Sequence, residues 1–185
     1  MTQFSSLDDN RLSLLRHSYA RQVPVSVTQS DWMAATAGGA ALNVVAGFVD
    51  PSAAQVSRIP RIITAAGGAS ISVTITGTYN GAAQVDVVAC LTNASTDATK
   101  PFDTITRVQT DVDPVSNTTI RWGRSYCDPA AVVLHVGGAG NINCRLDSES
   151  ALQVVSSVGT GDWPRRVRVI DPTSTTATGM LACYP

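Results

Sequence analysis

Nucleophilic catalysis needs an activated Ser or Cys beside a base, and this chain offers two histidines for the base, His17 and His135. His17 stands in the N-terminal arm. His135 lies inside V-V-L-H-V, an apolar strand-like run, and no G-x-S-x-G elbow occurs anywhere. A strand histidine, satisfied or facing solvent, is expected there instead of a catalytic base. Glycoside hydrolysis needs two carboxyl groups placed across a sugar. The nearest pair, Asp111 and Asp113 in T-D-V-D-P, flanks Val112 on one strand face just before a turn-forming proline. That reads as a solvated strand end. The alternative is a calcium-binding acidic cluster, for which the density of an EF-hand loop is missing.

Cys90, Cys127, Cys144 and Cys183 lie far apart with no C-x-x-C pair, which removes zinc-knuckle and thioredoxin readings. Reduced, packed thiols are expected; the alternative is one disulfide, with Cys127 and Cys144 the nearest pair. Gly137-Gly138-Ala139-Gly140 leads from one strand into another and not into a helix, so a hairpin turn is expected in place of a phosphate loop. In Trp163-Pro164-Arg165-Arg166-Val167-Arg168-Val169 the two valines can face a core while Arg166 and Arg168 share the other face beside Arg165. This cationic edge suits a protein interface or a guarded strand edge, because three arginines make a weak footprint for nucleic acid. Trp32, Trp122 and Trp163 are too widely spaced to form a sugar-stacking platform, and Trp122 alternates with Ile120 in a way that suits a core. No catalytic, cofactor-binding or metal-ligating residue is assigned, no cofactor is expected, and the chain reads as not an enzyme.

The elements that hold these residues follow from composition. In 185 residues with a formal net charge of -1 and a pI near 6.0 there is one lysine, Lys100, and one glutamate, Glu149. Surface helix formers are therefore scarce while Thr, Ser, Val, Ala and Gly are abundant, so an all-β chain is expected. Its balanced charge argues against a basic nucleic-acid coat. No stretch approaches the roughly 20 apolar residues of a membrane span, and M-T-Q-F-S-S-L-D-D is unlike a signal peptide, so synthesis in a cytoplasm without export by that route is expected. Asn93-Ala94-Ser95 and Asn117-Thr118-Thr119 then read as chance matches to the glycosylation pattern.

The clearest element is S-V-T-I-T-G-T-Y-N-G-A-A-Q-V-D-V-V at 72–88: alternating residues, an Asn80-Gly81 turn that tolerates positive φ, and a return strand. Asp-Pro pairs at 50–51, 113–114, 128–129 and 171–172 punctuate the rest. They cut it into strands near 58–64, 70–78, 84–91, 103–111, 118–124, 131–136, 141–146, 151–158 and 165–171, the pattern of a β-sandwich or jelly roll. The first third differs. Leu12, Leu15 and Tyr19 form a helical stripe after a Ser6 cap, with Arg16, His17 and Arg21 toward its end, which predicts a short amphipathic helix in need of a protein surface. An edge strand at 23–28, a helical turn at 30–35 and a strand at 41–49 follow, so the expected division is an arm over 1–57 and a β-sandwich domain over 58–185.

P-R-I-I-T-A-A-G-G-A at 60–69, S-V-T-I-T-G-T-Y-N-G-A-A-Q at 72–84 and P-F-D-T-I-T-R-V at 101–108 together resemble a pattern in structural proteins of tailed bacteriophages. There a P-R-x-x-T start precedes a T-x-T-G-T-x-x-N-G hairpin and an F-x-x-V-T-x-V strand. The likeness covers about a third of the chain, residues 58–124, and carries over no catalytic residue. It implies a virion component assembled in a bacterial host cytoplasm. The leading expectation is a non-enzymatic capsid decoration or cement protein on the head surface. Its expected partners are the major capsid protein and copies of itself, a trimer being favoured, with no membrane or nucleic-acid partner. Leu12, Leu15, Tyr19, Arg165, Arg166 and Arg168 are the expected interface residues. The alternatives are a tail, connector or fibre component of the virion, or a carbohydrate-binding receptor protein.

Overall fold

The computed structural model describes residues 20–24, 33–35, 41–46, 48, 50–51, 55–115, 118–131 and 133–184. Fifteen strands occur among them: β1 (Ala20–Gln22), β2 (Met33–Ala35), β3 (Asn43–Val44), β4 (Ser57–Thr64), β5 (Ile71–Tyr79), β6 (Ala82–Cys90), β7 (Ser95–Asp97) and β8 (Thr104–Thr110) in the first part. The second part holds β9 (Thr118–Ala131), β10 (Val133–Val136), β11 (Gly140–Leu146), β12 (Gln153–Val158), β13 (Gly161–Trp163), β14 (Val167–Asp171) and β15 (Leu181–Cys183). The fold is all-β, built of several antiparallel sheets, and no helix occurs among the described residues.

Contacts divide the chain into two compact units, one of residues 1–25, 54–56 and 127–185, the other of residues 26–53 and 57–126. The sequence-based division, 1–57 and 58–185, cuts inside β4, whereas the contacts cut at Val56/Ser57 and again at Tyr126/Cys127, inside β9.

In the unit built on residues 57–126, β5 and β6 pair without irregularity from Ile71↔Cys90 to Tyr79↔Ala82, and Asn80 and Gly81 take left-handed φ of 50° and 74° as the turn demands. The sheet order is β3-β8-β5-β6. A second set of strands has β4 between β7 and β9, with β2 paired to the start of β9. Both sets feed one core, in which Val73, Ile75 and Val108 meet Ile62, Ile120 and Trp122 around a fully buried Phe102. The alternation in β5 thus buries Ile71, Val73 and Ile75 and turns Ser72, Thr74, Thr76 and Thr78 outward. Pro60, which cannot donate to the ladder, sits at a register shift between Ile59 and Pro60.

In the other unit β1-β15-β10-β13 form one sheet and β12-β11-β14 with the end of β9 another. Leu134 and Val136 of β10, Ile142 and Cys144 of β11, Val167 and Ile170 of β14, and Met180 and Ala182 share its core.

Several expectations are corrected. Of the helical turn expected at 30–35, residues 30–32 lie outside the described residues, and Met33, Ala34 and Ala35 are strand, paired with Ile120, Thr119 and Thr118; ladder bonds to a long strand outweigh the helix propensity of three residues. The N-terminal helix over residues 6–21 falls mostly outside the described residues, and its expected end is instead strand β1, where Arg21 stands opposite Ala182. Of the expected edge strand at 23–28, the described Val23 and Pro24 lie in no strand. Asp128-Pro129 does not break the chain but runs within β9. Gly137 to Gly140 is no hairpin turn, because β10 and β11 belong to different sheets, and Gly138 bridges Thr178 instead.

Candidate interaction surface

The residues with chemical potential are used by the fold. Asp111 Oδ1 accepts the N–H groups of Ser72 and Val112, and the Ser72 bond is the main cause that holds its carboxyl below the usual range. Asp113 accepts the N–H of Val115, a turn bond. His135 of β10 stands directly opposite Asp162 of β13, with Nδ1 and Oδ1 2.7 Å apart. All four cysteines are free thiols, so the Cys127–Cys144 disulfide is not formed. Burial pushes the thiols of Cys90, Cys127 and Cys144 up to about 11. Cys183, half-buried, is pushed up by burial and then by the charge of Asp162, the reverse of an activated nucleophile. Among the described residues no group of three or more His, Cys, Asp or Glu is placed to hold a metal ion.

The cationic edge is partly internal bonding. Val167 and Val169 are buried as their alternation requires, while Arg165 and Arg166 are exposed and precede β14. Arg168 gives Nε and Nη2 to Asp147 Oδ1 at 3.1 and 2.7 Å and Nη1 to Asp128 Oδ1 at 2.8 Å. Arg166 reaches the same Asp147 at 3.2 Å. Asp147 thus gathers Arg166 and Arg168, and the pairing with Arg168 is the main reason its carboxyl lies below the usual range. Leu12, Leu15, Tyr19 and His17 lie outside the described residues, as does Trp32. Trp122 is in the core, and Trp163 packs partly against the core of its own unit.

What sequence reasoning missed is the outer face of β6. Nine consecutive pairs with β5 place Gln84, Asp86, Val88 and Cys90 on the inner side, opposite Gly77, Ile75, Val73 and Ile71. Ala83, Val85, Val87 and Ala89 therefore point outward, followed by Leu91; all five are exposed, Val85 by 47%, Val87 by 62% and Leu91 by 70%. The first part of this strand is inverted, with Gln84 and Asp86 inside and Ala83, Val85 and Val87 in water, while Val88 and Cys90 further along join the core. The inner polar groups are satisfied locally. Buried Asp86 accepts the N–H groups of Thr99 and Lys100 at 2.6 and 3.0 Å and the Thr99 hydroxyl at 2.8 Å, and Gln84 donates to the Pro101 carbonyl. Beside the apolar row run Ser72, Thr74, Thr76 and Thr78 of β5, then Arg107 and Gln109 of β8. Counting pairs outward from the Asn80-Gly81 turn would have exposed this inversion in the sequence.

Comparison with family models, with curated proteins and with solved structures found no match to this chain.

Proposed function

We propose that this chain is a non-enzymatic structural component of a tailed-bacteriophage particle, a head decoration protein of β-sandwich or jelly-roll form that binds the assembled capsid and stabilises it. The observation that carries the reading is the β5–β6 hairpin. The segment through which the chain resembles phage structural proteins also presents an outward apolar row on β6, a surface with the character of a protein contact. Support also comes from Asp86, Asp113 and the Asp147–Arg168 pair, whose polar atoms are spent on turns and strand-to-strand bonds.

A cement protein of this kind works by mass action. Each contact is small, yet many copies that bind only the assembled shell shift the balance away from its free subunits. The capsid protein and other copies of this chain are its partners in this reading, and the particle is its location.

Copy number tests it. Mass spectrometry of purified particles of the encoding phage should find this chain on the order of hundreds of times per particle, as a symmetric shell requires. A count on the order of a dozen would mark a connector or fibre component instead, and absence from particles would end the virion reading.

A further inference from the structure

From the inverted strand β6 we infer that a second copy of this chain covers the outer face of the β3-β8-β5-β6 sheet. The contact is face to face, about a two-fold axis beside the Val85–Val87 row. This inference stands on the sheet alone and does not depend on the phage reading.

Three observations select the partner and the geometry. The first is charge. The described charged side chains of this face lie on or just beyond β8, away from the β6 row: Arg107, whose Nε is engaged by Asn43 Oδ1 at 2.9 Å, and exposed Asp111, whose Oδ1 accepts the Ser72 N–H. Toward β6 the face is Ser, Thr, Ala or Val, so its β5–β6 part offers nothing for a charged partner to complement. Its own copy meets it on equal terms, apolar row against apolar row and threonine against threonine, the self-complementarity that an isologous contact requires. An axis passing between Val85 and Val87 sets each against the other in the partner.

The second observation is the strand edge. β6 is the last strand of its sheet, which would otherwise invite pairing by backbone hydrogen bonds. Lys100 Nζ takes the Val85 carbonyl at 2.7 Å, and the 99–101 segment is tied to Asp86 and Gln84. The middle of the edge is occupied, so the copies meet by their faces and not by extending one sheet.

The third is area. The nine-residue β6 is about 30 Å long, and three strands with their side-chain margins span about 15 Å, so the face offers about 450 Å² per copy and about 900 Å² per pair. Specific contacts begin near about 1,000 Å², which places this one among the weak, reversible associations. Two copies, not the trimer expected from the sequence, are what a flat self-complementary face pairs.

Sedimentation velocity on the full chain, from about 1 to about 100 µM, spans the range in which such a contact forms. The wild type should show a reversible monomer–dimer equilibrium. The double variants Val85→Lys/Val87→Lys and Val85→Glu/Val87→Glu should each dissociate at least about tenfold more readily through like-charge repulsion across the axis. Both should keep the wild-type melting temperature, because neither side chain enters the core. An equimolar mixture of the two variants should associate again, since Lys then faces Glu. A monomeric wild type across the range, a trimer, an oligomer indifferent to both variants, or a mixture no tighter than its components would overturn the inference.

Discussion

Arg168 and Asp147 are joined by two hydrogen bonds to a single oxygen, Nε at 3.1 Å and Nη2 at 2.7 Å from Oδ1, across the pairing of β14 with the end of β11. The arginines 165, 166 and 168, alike in the sequence, therefore separate into Arg168, which is bonded to both Asp147 and Asp128, Arg166, whose largely exposed side chain reaches Asp147 at 3.2 Å, and Arg165, exposed ahead of β14. Arg168→Ser should lower the melting temperature, while Arg165→Ser/Arg166→Ser should leave it within scatter and so serve as the clean variant for attachment assays. The pH dependence has a definite sign. Because the folded-state carboxyl of Asp147 is depressed, mainly by the bond from Arg168, its contribution is complete above the ordinary carboxylate value near about 3.9 and is lost as pH falls through the lower folded value. The melting-temperature gap between wild type and Asp147→Asn should be constant above that value and should close below it. A gap that persists undiminished in acid would show that the pair contributes no charge-linked stability.

Two glycines of one hairpin should fail for different reasons. Gly81 has φ of 74° and open space where a Cβ would stand, so Gly81→Val is charged with backbone strain alone, about 1–3 kcal/mol. Gly77 has no positive φ, but a Cβ there would run into the Thr104 carbonyl and approach Ile105 and Phe102. Gly77→Ala should therefore cost more than Gly81→Ala although both add one methyl group, because only the first must move the β5–β8 backbone. Urea titrations of the two alanine variants decide it, and an equal or reversed order would show that the sheet yields at Gly77.

The contrast between these glycines marks how far the sequence is legible. Asn80-Gly81 and the alternation of 72–78 are local signals, and the strand, the turn and the buried row of Val73 and Ile75 follow from them directly. The main strands over 57–64, 104–110, 140–146 and 153–158 were readable on the same ground, within a few residues at each end. The three-residue strands β7, β13 and β15 were not. S-T-D, G-D-W and L-A-C carry no periodicity of their own and are extended because β4, β10 and β1 bond to them. Asp128-Pro129 has a turn's chemistry, yet Asp128 is anchored to Arg168 and the strand runs on through it. One boundary between the two units, Tyr126/Cys127, falls inside an unbroken strand, where no linker composition marks it.

The apolar row of β6 was hidden differently. The run Val85 to Cys90 reads as a buried return strand when apolarity is counted residue by residue. Register decides otherwise, because a shift of one residue exchanges the two faces of a strand. Asp86 and Gln84 could stand inside only because Thr99, Lys100 and Pro101 supply partners from a distant part of the sequence. The register could be counted from the Asn80-Gly81 turn, but those partners could not be read from any local pattern.

Among the described residues, Arg58 is a charge that the core holds at evident cost. It is 1% exposed, its Nη2 donates to the Gly123 carbonyl at 2.8 Å, and Nε and Nη1 have no hydrogen-bond partner among the described residues. Loss of water pushes its guanidinium down to about 10, the direction expected when burial penalises the charged form. The backbone of Arg58 is independently secured, its N–H to the Phe102 carbonyl and its carbonyl to the Phe102 N–H, so a change of side chain leaves the bridge intact. Methionine matches the length of the stem and carries no charge to desolvate. Arg58→Met should therefore stabilise the protein, by about 1–4 kcal/mol if the site behaves as other buried ionic groups replaced by apolar side chains. Arg58→Ala should not share the gain, because it leaves a cavity. Denaturant unfolding of the three proteins gives the comparison. If methionine proves less stable than arginine by more than about 1 kcal/mol, the guanidinium is instead held by interior water, which alone would make its two open N–H directions favourable.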